Sequence, residues 1–182
     1  MVEKFLDLAR INRWICFGFL SLVGFCGFLT VVSEASGHKS SYGEIQKLRP
    51  PNLVVLIQKP GLGGDYVLGI YGIEIDQNDP NLRRYKIWEE WSYDLKVRSE
   101  TVRCNPEGPL RVKRDSKSIY VRRLNPGGLI NSANQEDHLV WWAACVPEMA
   151  GIDPSTLKGK ALSLGFSTGL VENQEILTLP SR

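Results

Sequence analysis

The hydrophobic pattern begins with a long, uninterrupted apolar segment near the N-terminus. Residues 14–32 are nineteen amino acids without a charge, and Ser21 and Thr30 are the only hydroxyl side chains among them. As a helix rising about 1.5 Å per residue, this segment reaches about 28 Å, close to the roughly 30 Å hydrocarbon core of a bilayer. A soluble core helix of that length normally has a polar face. The pattern therefore predicts a transmembrane anchor.

Two arginines predict how this anchor is oriented. Arg10 and Arg13 lie just before the apolar segment, and no Lys or Arg occurs in the six residues after it. The positive-inside rule then places residues 1–13 in the cytoplasm, 14–32 in the membrane, 33–51 in a linker, and 52–182 in an exported domain on the periplasmic, extracellular or lumenal side. Ser33 and Ala35 are small residues suited to a cleavage site, so a cleaved signal peptide and a buried helix remain alternatives.

Short strands separated by turns dominate the pattern of the exported domain. The β-branched run at residues 53–58 is typical of a strand buried on both faces, and residues 66–75 predict a second strand after a glycine-rich turn. From Trp91 to Arg98 apolar and polar positions alternate, which predicts a half-buried strand. Residues 109–124 predict a hairpin with its tip at 115–117, and residues 175–179 predict the final strand.

Helix signals are few. Ser132 to Gln135 (SANQ) is a candidate cap for a helix that begins near Asn134 and includes His138 to Cys145, although this apolar segment also fits a buried strand. Asp153 followed by Pro154 predicts a short helical turn. The alternation of Leu162, Leu164 and Phe166 predicts another strand. Without the crossover helices that parallel strands need, we expect a mainly β fold, a sandwich or small partly open barrel with one or two short helices.

Charge adds information about function only where it is concentrated in one segment. The whole chain has 22 Lys and Arg against 20 Asp and Glu, which does not indicate a nucleic-acid-binding protein. Between residues 96 and 123, however, nine cations stand against three acids. The hypothesis is contact with an acidic partner or with anionic lipid headgroups, and the alternative is a solvated sheet face. The predicted contact residues are Arg98, Arg103, Arg111, Lys113, Arg114, Lys117, Arg122 and Arg123.

The cysteines fit an exported domain. Cys16 and Cys26 lie within the apolar segment, where a small buried side chain is the simplest interpretation. Cys104 and Cys145 are then an even pair in the exported domain, as expected for one disulfide in an oxidising compartment. Two separate buried thiols are the alternative.

Catalytic and ligand-binding motifs are weak. "GFSTG" at 165–169 matches the nucleophile-elbow pattern, but only thirteen residues follow it and none is histidine, so a turn is expected instead. "GLGGDYVLG" at 61–69 runs into a strand rather than a helix, which favours a hairpin loop over a phosphate-binding loop. The two distant histidines provide no metal-ligand set, and no cofactor is predicted.

A thiol enzyme is the rival hypothesis. The order His38, Cys104, Arg111 behind an apolar segment resembles the sortases, transpeptidases that use these residue types in a β-barrel. Sortases place several strands before the histidine, whereas His38 lies six residues after the apolar segment. His138 and Cys145 are a second pairing, but on one helix they are about 10 Å apart, too far for direct proton transfer.

Four of the five tryptophans lie in "WEEW" (88–91) and "VWWAAC" (140–145), which predicts either core packing or a partner-binding surface. Together the patterns lead to a non-enzymatic, single-pass accessory, assembly or scaffolding protein of a membrane complex. Its docking surfaces would be the basic hairpin and a tryptophan-bearing face. A cysteine-dependent transferase or hydrolase and an anionic lipid- or glycan-binding module remain alternatives.

Overall fold

The computed structural model describes residues 42–180 of the chain. The apolar segment at 14–32, its predicted orientation and His38 lie outside these residues. Within the described part, no helix is both long enough and apolar enough to cross a membrane.

One antiparallel sheet forms the framework of the domain. Its seven strands are neighbours in the order in which they occur along the chain, so each consecutive pair is a hairpin or a longer antiparallel return. β1 and β7 are therefore the two edges. The strands are β1 Val54–Lys59, β2 Tyr66–Ile75, β3 Leu82–Glu90, β4 Leu95–Arg103, β5 Leu110–Arg114, β6 Ser118–Arg123 and β7 Asn173–Thr178.

This sheet confirms the mainly β prediction, but its strands form one open layer rather than a sandwich of two. The strand at Tyr66–Ile75 and the hairpin with its tip at residues 115–117 are confirmed. The glycine-rich segment is the turn between β1 and β2, where Gly63 has a positive φ of 81° that other residues rarely adopt. β1 is an edge strand with Val54 and Val55 exposed, so the prediction that it is buried on both faces was wrong.

β3 was missed by the sequence patterns. Its last two residues, Glu89 and Glu90, are both buried because Arg98 and Arg49 neutralise them. Buried polar side chains remove the apolar–polar alternation that identifies a strand. The strand predicted from Trp91 actually begins at Leu95, because the Trp91 amide donates to the Asp94 carbonyl at 2.8 Å and closes a turn.

Three short helices accompany the sheet: α1 Tyr42–Lys47, α2 Gln135–Cys145 and α3 Lys158–Ser163. α1 lies in the segment predicted as a linker. The helix predicted to begin near Asn134 is present as α2, with Asn134 at its N-cap position but no capping hydrogen bond from its side chain. Asp153 accepts a hydrogen bond from the Ser155 amide at the start of a single helical turn. The strand predicted around Leu162–Phe166 was wrong. Here Leu157 and Ala161 are buried four residues apart, the spacing of a helix.

α2 packs on one face of the sheet and forms the core with it. Its buried Trp141 and Trp142 lie among Leu68, Ile87 and Val102 of the sheet. Cys145 at the end of α2 forms a disulfide with Cys104, directly after β4, across 41 positions of sequence. The predicted disulfide is confirmed, and it ties α2 to the middle of the sheet.

Candidate functional site

The cations of the basic hairpin divide between the two faces of the sheet. Paired residues of antiparallel strands point to the same side. Arg111 is paired with Val102 of β4 and Arg122 of β6, which places it on the face covered by α2. Leu110, which neighbours Arg111, is paired with Arg103 and Arg123 and therefore points to the opposite face. The two faces have different chemistry.

On the α2 side, Arg111 is the centre of a buried ion cluster. Its guanidinium is fully buried, and Nε donates to Glu100 Oε2 at 2.8 Å. Nη1 donates to Asp137 Oδ1 at 2.8 Å and to Glu136 Oε1 at 3.3 Å. The buried hydroxyl of Tyr85 donates to the same Glu100 oxygen at 3.2 Å. Arg111 is therefore unavailable as the surface contact predicted for it.

The remaining cations of this face surround the same carboxylates. Lys113 lies 3.0 Å and Arg122 3.1 Å from Asp137, while Arg98 forms two hydrogen bonds with Glu89. Burial by itself would raise the pKa of Asp137, but the three neighbouring cations outweigh it and hold that pKa below its ordinary value. The acids come from β3, β4 and the first turn of α2, where the helix dipole also favours negative charge.

These contacts neutralise half of the predicted basic surface. Arg98, Arg111, Lys113 and Arg122 are matched by Glu89, Glu100, Glu136 and Asp137. A buried arginine with three carboxylate partners neutralises their charge and fixes the position of α2 on the sheet. The local excess of positive charge in the sequence therefore has a structural role on this face.

A second polar cluster joins α2 to the segment before β7. His138 Nε2 lies 2.6 Å from Glu172 Oε1, and the Asn134 amide donates to Glu172 Oε2 at 2.9 Å. The Asn125 backbone amide also donates to Glu172, and the Asn125 side chain donates to the carbonyls of Thr168 and Leu170. This cluster fixes the position of the segment that leads from α3 to the edge strand β7.

The His138–Glu172 contact makes stability dependent on pH. Burial of His138 lowers its pKa more than Glu172 raises it, so the imidazole is neutral and Nε2–H donates to the carboxylate. Since the unfolded chain binds this proton more readily, the free energy of unfolding is expected to fall as the pH drops below about 6.5. Urea unfolding between pH 7.5 and 5 measures this. H138Q keeps a donor but cannot titrate, so an equally steep decline in that variant would contradict the assignment.

The opposite side of β4–β7, which we call the outer face, is not covered by any described helix. Its centre is apolar, and the aligned side chains of three neighbouring strands are half-buried or exposed. By strand register, these residues are Leu110, Val112, Ile119, Val121 and Leu177.

Cations surround this apolar strip. Arg103, Arg114 and Arg123 point to the outer face, and Lys117 lies at the exposed hairpin tip. Arg103 is paired with Asp79 at 3.0 Å, whereas Arg114, Lys117 and Arg123 form no ion pair with any described residue. A pocket of about 370 Å³ opens between Arg103 and Arg123, and Glu107 also lines it. Its apolar lining consists of Pro109, Leu110, Leu124, Leu170 and Val171. The outer face therefore combines unpaired positive charge with an apolar depression.

The four tryptophans among the described residues are buried or half-buried. Trp88, Trp141 and Trp142 are buried, and Trp141 Nε1–H donates to the Arg103 carbonyl at 2.9 Å. Trp91 is half-buried against Tyr66, with their ring centres 5.5 Å apart. Core packing, the alternative interpretation of these residues, is what the structure confirms.

The remaining motifs have structural roles. Ser167 of "GFSTG" lies in the loop between α3 and β7, where its hydroxyl accepts from the Gly169 amide at 3.0 Å. The sharp strand-to-helix turn of a nucleophile elbow is thus not present at this serine. Cys104 is occupied by the disulfide. In the part of the chain that the structure describes, no group of three or more His, Cys, Asp or Glu could hold a metal ion.

Sequence reasoning identified the cations of the site but not their partners. Glu100 lies within the charge window at 96–123, but Glu89, Asp137 and Glu172 come from β3, α2 and the final loop and fall outside it. The alternation within the hairpin did contain the missing signal. Arg111, Lys113 and Arg122 fall on one side and Arg114 and Arg123 on the other. Comparison with protein-family models, curated proteins and solved structures finds no significant match to the chain.

Proposed function

We propose that this protein is a membrane-anchored accessory subunit that docks an acidic surface of another protein through its outer face. The observation that supports this most is the division of the hairpin cations. Arg98, Arg111, Lys113 and Arg122 are neutralised within the molecule, while Arg114, Lys117 and Arg123 surround an apolar strip without an ion-pair partner among the described residues.

The chemistry of the outer face fits a protein partner. Apolar residues at its centre provide burial, and a rim of arginines provides orientation and selects against cationic surfaces. Arginine is also enriched at the energetically dominant positions of interfaces. The pocket between Arg103 and Arg123 suits an apolar side chain with a carboxylate near Arg123. An assembly or scaffolding role within a membrane complex follows from such a surface together with the anchor proposed at residues 14–32.

The disulfide favours docking over thiol chemistry. A cysteine-dependent transferase or hydrolase needs a thiolate nucleophile, and Cys104 and Cys145 are both engaged in the same bond. The bond also suits the proposed location of the domain on the oxidising side of the membrane. Arg111 of the sortase-like order is buried in its ion cluster, which removes it from any surface-exposed site.

Charge reversal on the outer face is expected to abolish partner binding. In the full chain, purified under mild solubilisation, R114E with R123E should lower recovery of the co-purifying subunit by about tenfold or more, because both the attraction and the specificity are electrostatic. The control, K59E with K158E, reverses two exposed cations elsewhere and makes the same change in net charge.

Three results would contradict the proposal. The first is a wild-type chain that purifies without any other protein, and the second is equal loss of the partner in both double variants. The third is salt-sensitive binding of the wild-type chain to anionic phospholipid vesicles that R114E with R123E abolishes while recovery of a protein subunit is unchanged. That result would assign the outer face to lipid headgroups.

A further inference from the structure

The edge strand β7 is open on its outer side. β6 pairs with it from Asn173 to Thr178, and no other described strand lies beside it. All six residues are exposed, including the large apolar Ile176 at 57%. The unpaired backbone groups of such a strand are a template for pairing with another strand.

The other edge is better protected than β7, whose nearest proline is Pro180, two residues beyond its end. β1 has a bulge between Val55 and Ile57 and ends in Lys59 followed by Pro60. Bulges, lysine and proline are the usual means by which proteins prevent edge-to-edge association. β7 has a regular register with β6 throughout, and residues 173–178 contain neither lysine nor proline. Only Glu175 is charged in this strand.

The register identifies which backbone groups point outward. The Leu179 amide donates to the Lys117 carbonyl at 2.7 Å, and positions 117 and 179 continue the register of β6 with β7. In an antiparallel pair the hydrogen-bonded positions alternate. The odd-numbered residues of β7 therefore bond to β6, and the backbone N–H and C=O of Gln174, Ile176 and Thr178 point away from the sheet.

The outward backbone groups of these three residues can pair with the same groups of a second copy related by a two-fold axis. If two β7 strands pair antiparallel with Ile176 opposite its own copy, Gln174 lies opposite Thr178, and all outward groups find partners. Glu175 then lies opposite Leu177 rather than opposite its own copy, so no like charges meet. A second copy therefore fits this edge without a change in either strand.

We propose that two copies of this chain associate through β7, which joins their sheets into one continuous sheet centred on Ile176. The interface uses the sheet edge, whereas partner docking uses the outer face, so the two proposals can hold or fail separately. The association is isologous and closes at a dimer, because the other edge of each sheet is protected.

Position-specific cross-linking tests this arrangement. In the full chain with C16S and C26S, I176C should oxidise to a covalent dimer, since hydrogen-bonded positions opposite each other have Cα atoms about 5.5 Å apart, within disulfide range. Q174C should not cross-link to itself, because its copies are offset by about 14 Å along the strands. Mixing Q174C with T178C should restore a cross-link between the two variants.

A proline substitution distinguishes cross-linking through strand pairing from cross-linking by random collision. Q174P removes one outward N–H and leaves the bonds to β6 intact, so it should lower the I176C cross-linking yield by about tenfold while the melting temperature of the domain stays unchanged. A monomeric I176C, or Q174C that cross-links to itself as readily, would overturn the proposal. An unchanged yield in the proline variant would do so as well.

Discussion

Replacing Arg111 by methionine is expected to lower the free energy of unfolding by about 3–5 kcal/mol. Methionine fills much of the same volume but removes the guanidinium that lies between Glu100 and Asp137. Asp137 keeps Lys113 and Arg122, whereas Glu100 keeps only Arg98, at 3.5 Å. Glu100 is almost fully buried, so water cannot replace the lost hydrogen bonds. A domain of this size is stable by only about 5–15 kcal/mol, so this variant should be close to unfolding at physiological temperature.

Urea unfolding followed by tryptophan fluorescence measures the effect of R111M directly. The matched control is R123M, which removes the same side chain from the next strand of the same hairpin but on the exposed outer face. That change should cost less than about 0.5 kcal/mol. Equal stability of R111M and R123M would contradict the assignment of Arg111 as the centre of the ion cluster.

Removing the disulfide is expected to cost about 3–4 kcal/mol. Cys104 and Cys145 are separated by 41 positions, and a loop of about that length gives this value in the chain-entropy model. The bond also anchors the C-terminal end of α2 to the sheet, at the opposite end of the helix from the Arg111 cluster. In C104A with C145A, α2 should therefore loosen first at its C-terminal end.

Thermal unfolding with and without reductant provides the measurement for the disulfide. Reductant should lower the melting temperature of the wild-type chain to that of C104A with C145A and leave the double variant unaffected. C16S with C26S is the control and should behave as wild type. A melting temperature that reductant does not change, with the thiols of Cys104 and Cys145 accessible to alkylation, would show that the bond does not form.

Local sequence patterns were sufficient to predict the elements whose contacts are formed between residues close in sequence. β2 and the β5–β6 hairpin follow from apolar runs and turn residues, whereas the segment of α2 fits a helix and a buried strand equally in the sequence. Trp91 shows the limit of this reasoning. Its apolar–polar alternation continues through a four-residue turn, and only the backbone hydrogen bond to Asp94 distinguishes the turn from a strand.

The candidate site was predictable only in part because its charges pair over long sequence distances. Arg111 and Asp137 are 26 positions apart, and His138 and Glu172 are 34 apart. A sum of charge over residues 96–123 contains the cations and omits most of these acids. Strand register separates the cations of the α2 side from those of the outer face, because it places Arg111 under α2 and Arg123 on the outer face. The register in turn depends on the hairpin tip, which the sequence does identify.

The central claim is that the outer face contacts another protein, and site-specific photocross-linking tests it most directly. A photoreactive residue at Val121 lies within the apolar strip, while one at Leu162 on α3 is exposed elsewhere and serves as the control. In the cells that make the full chain, Val121 should give one discrete protein adduct that R114E with R123E abolishes. No adduct from Val121, or the same adduct in equal yield from Leu162, would contradict the account.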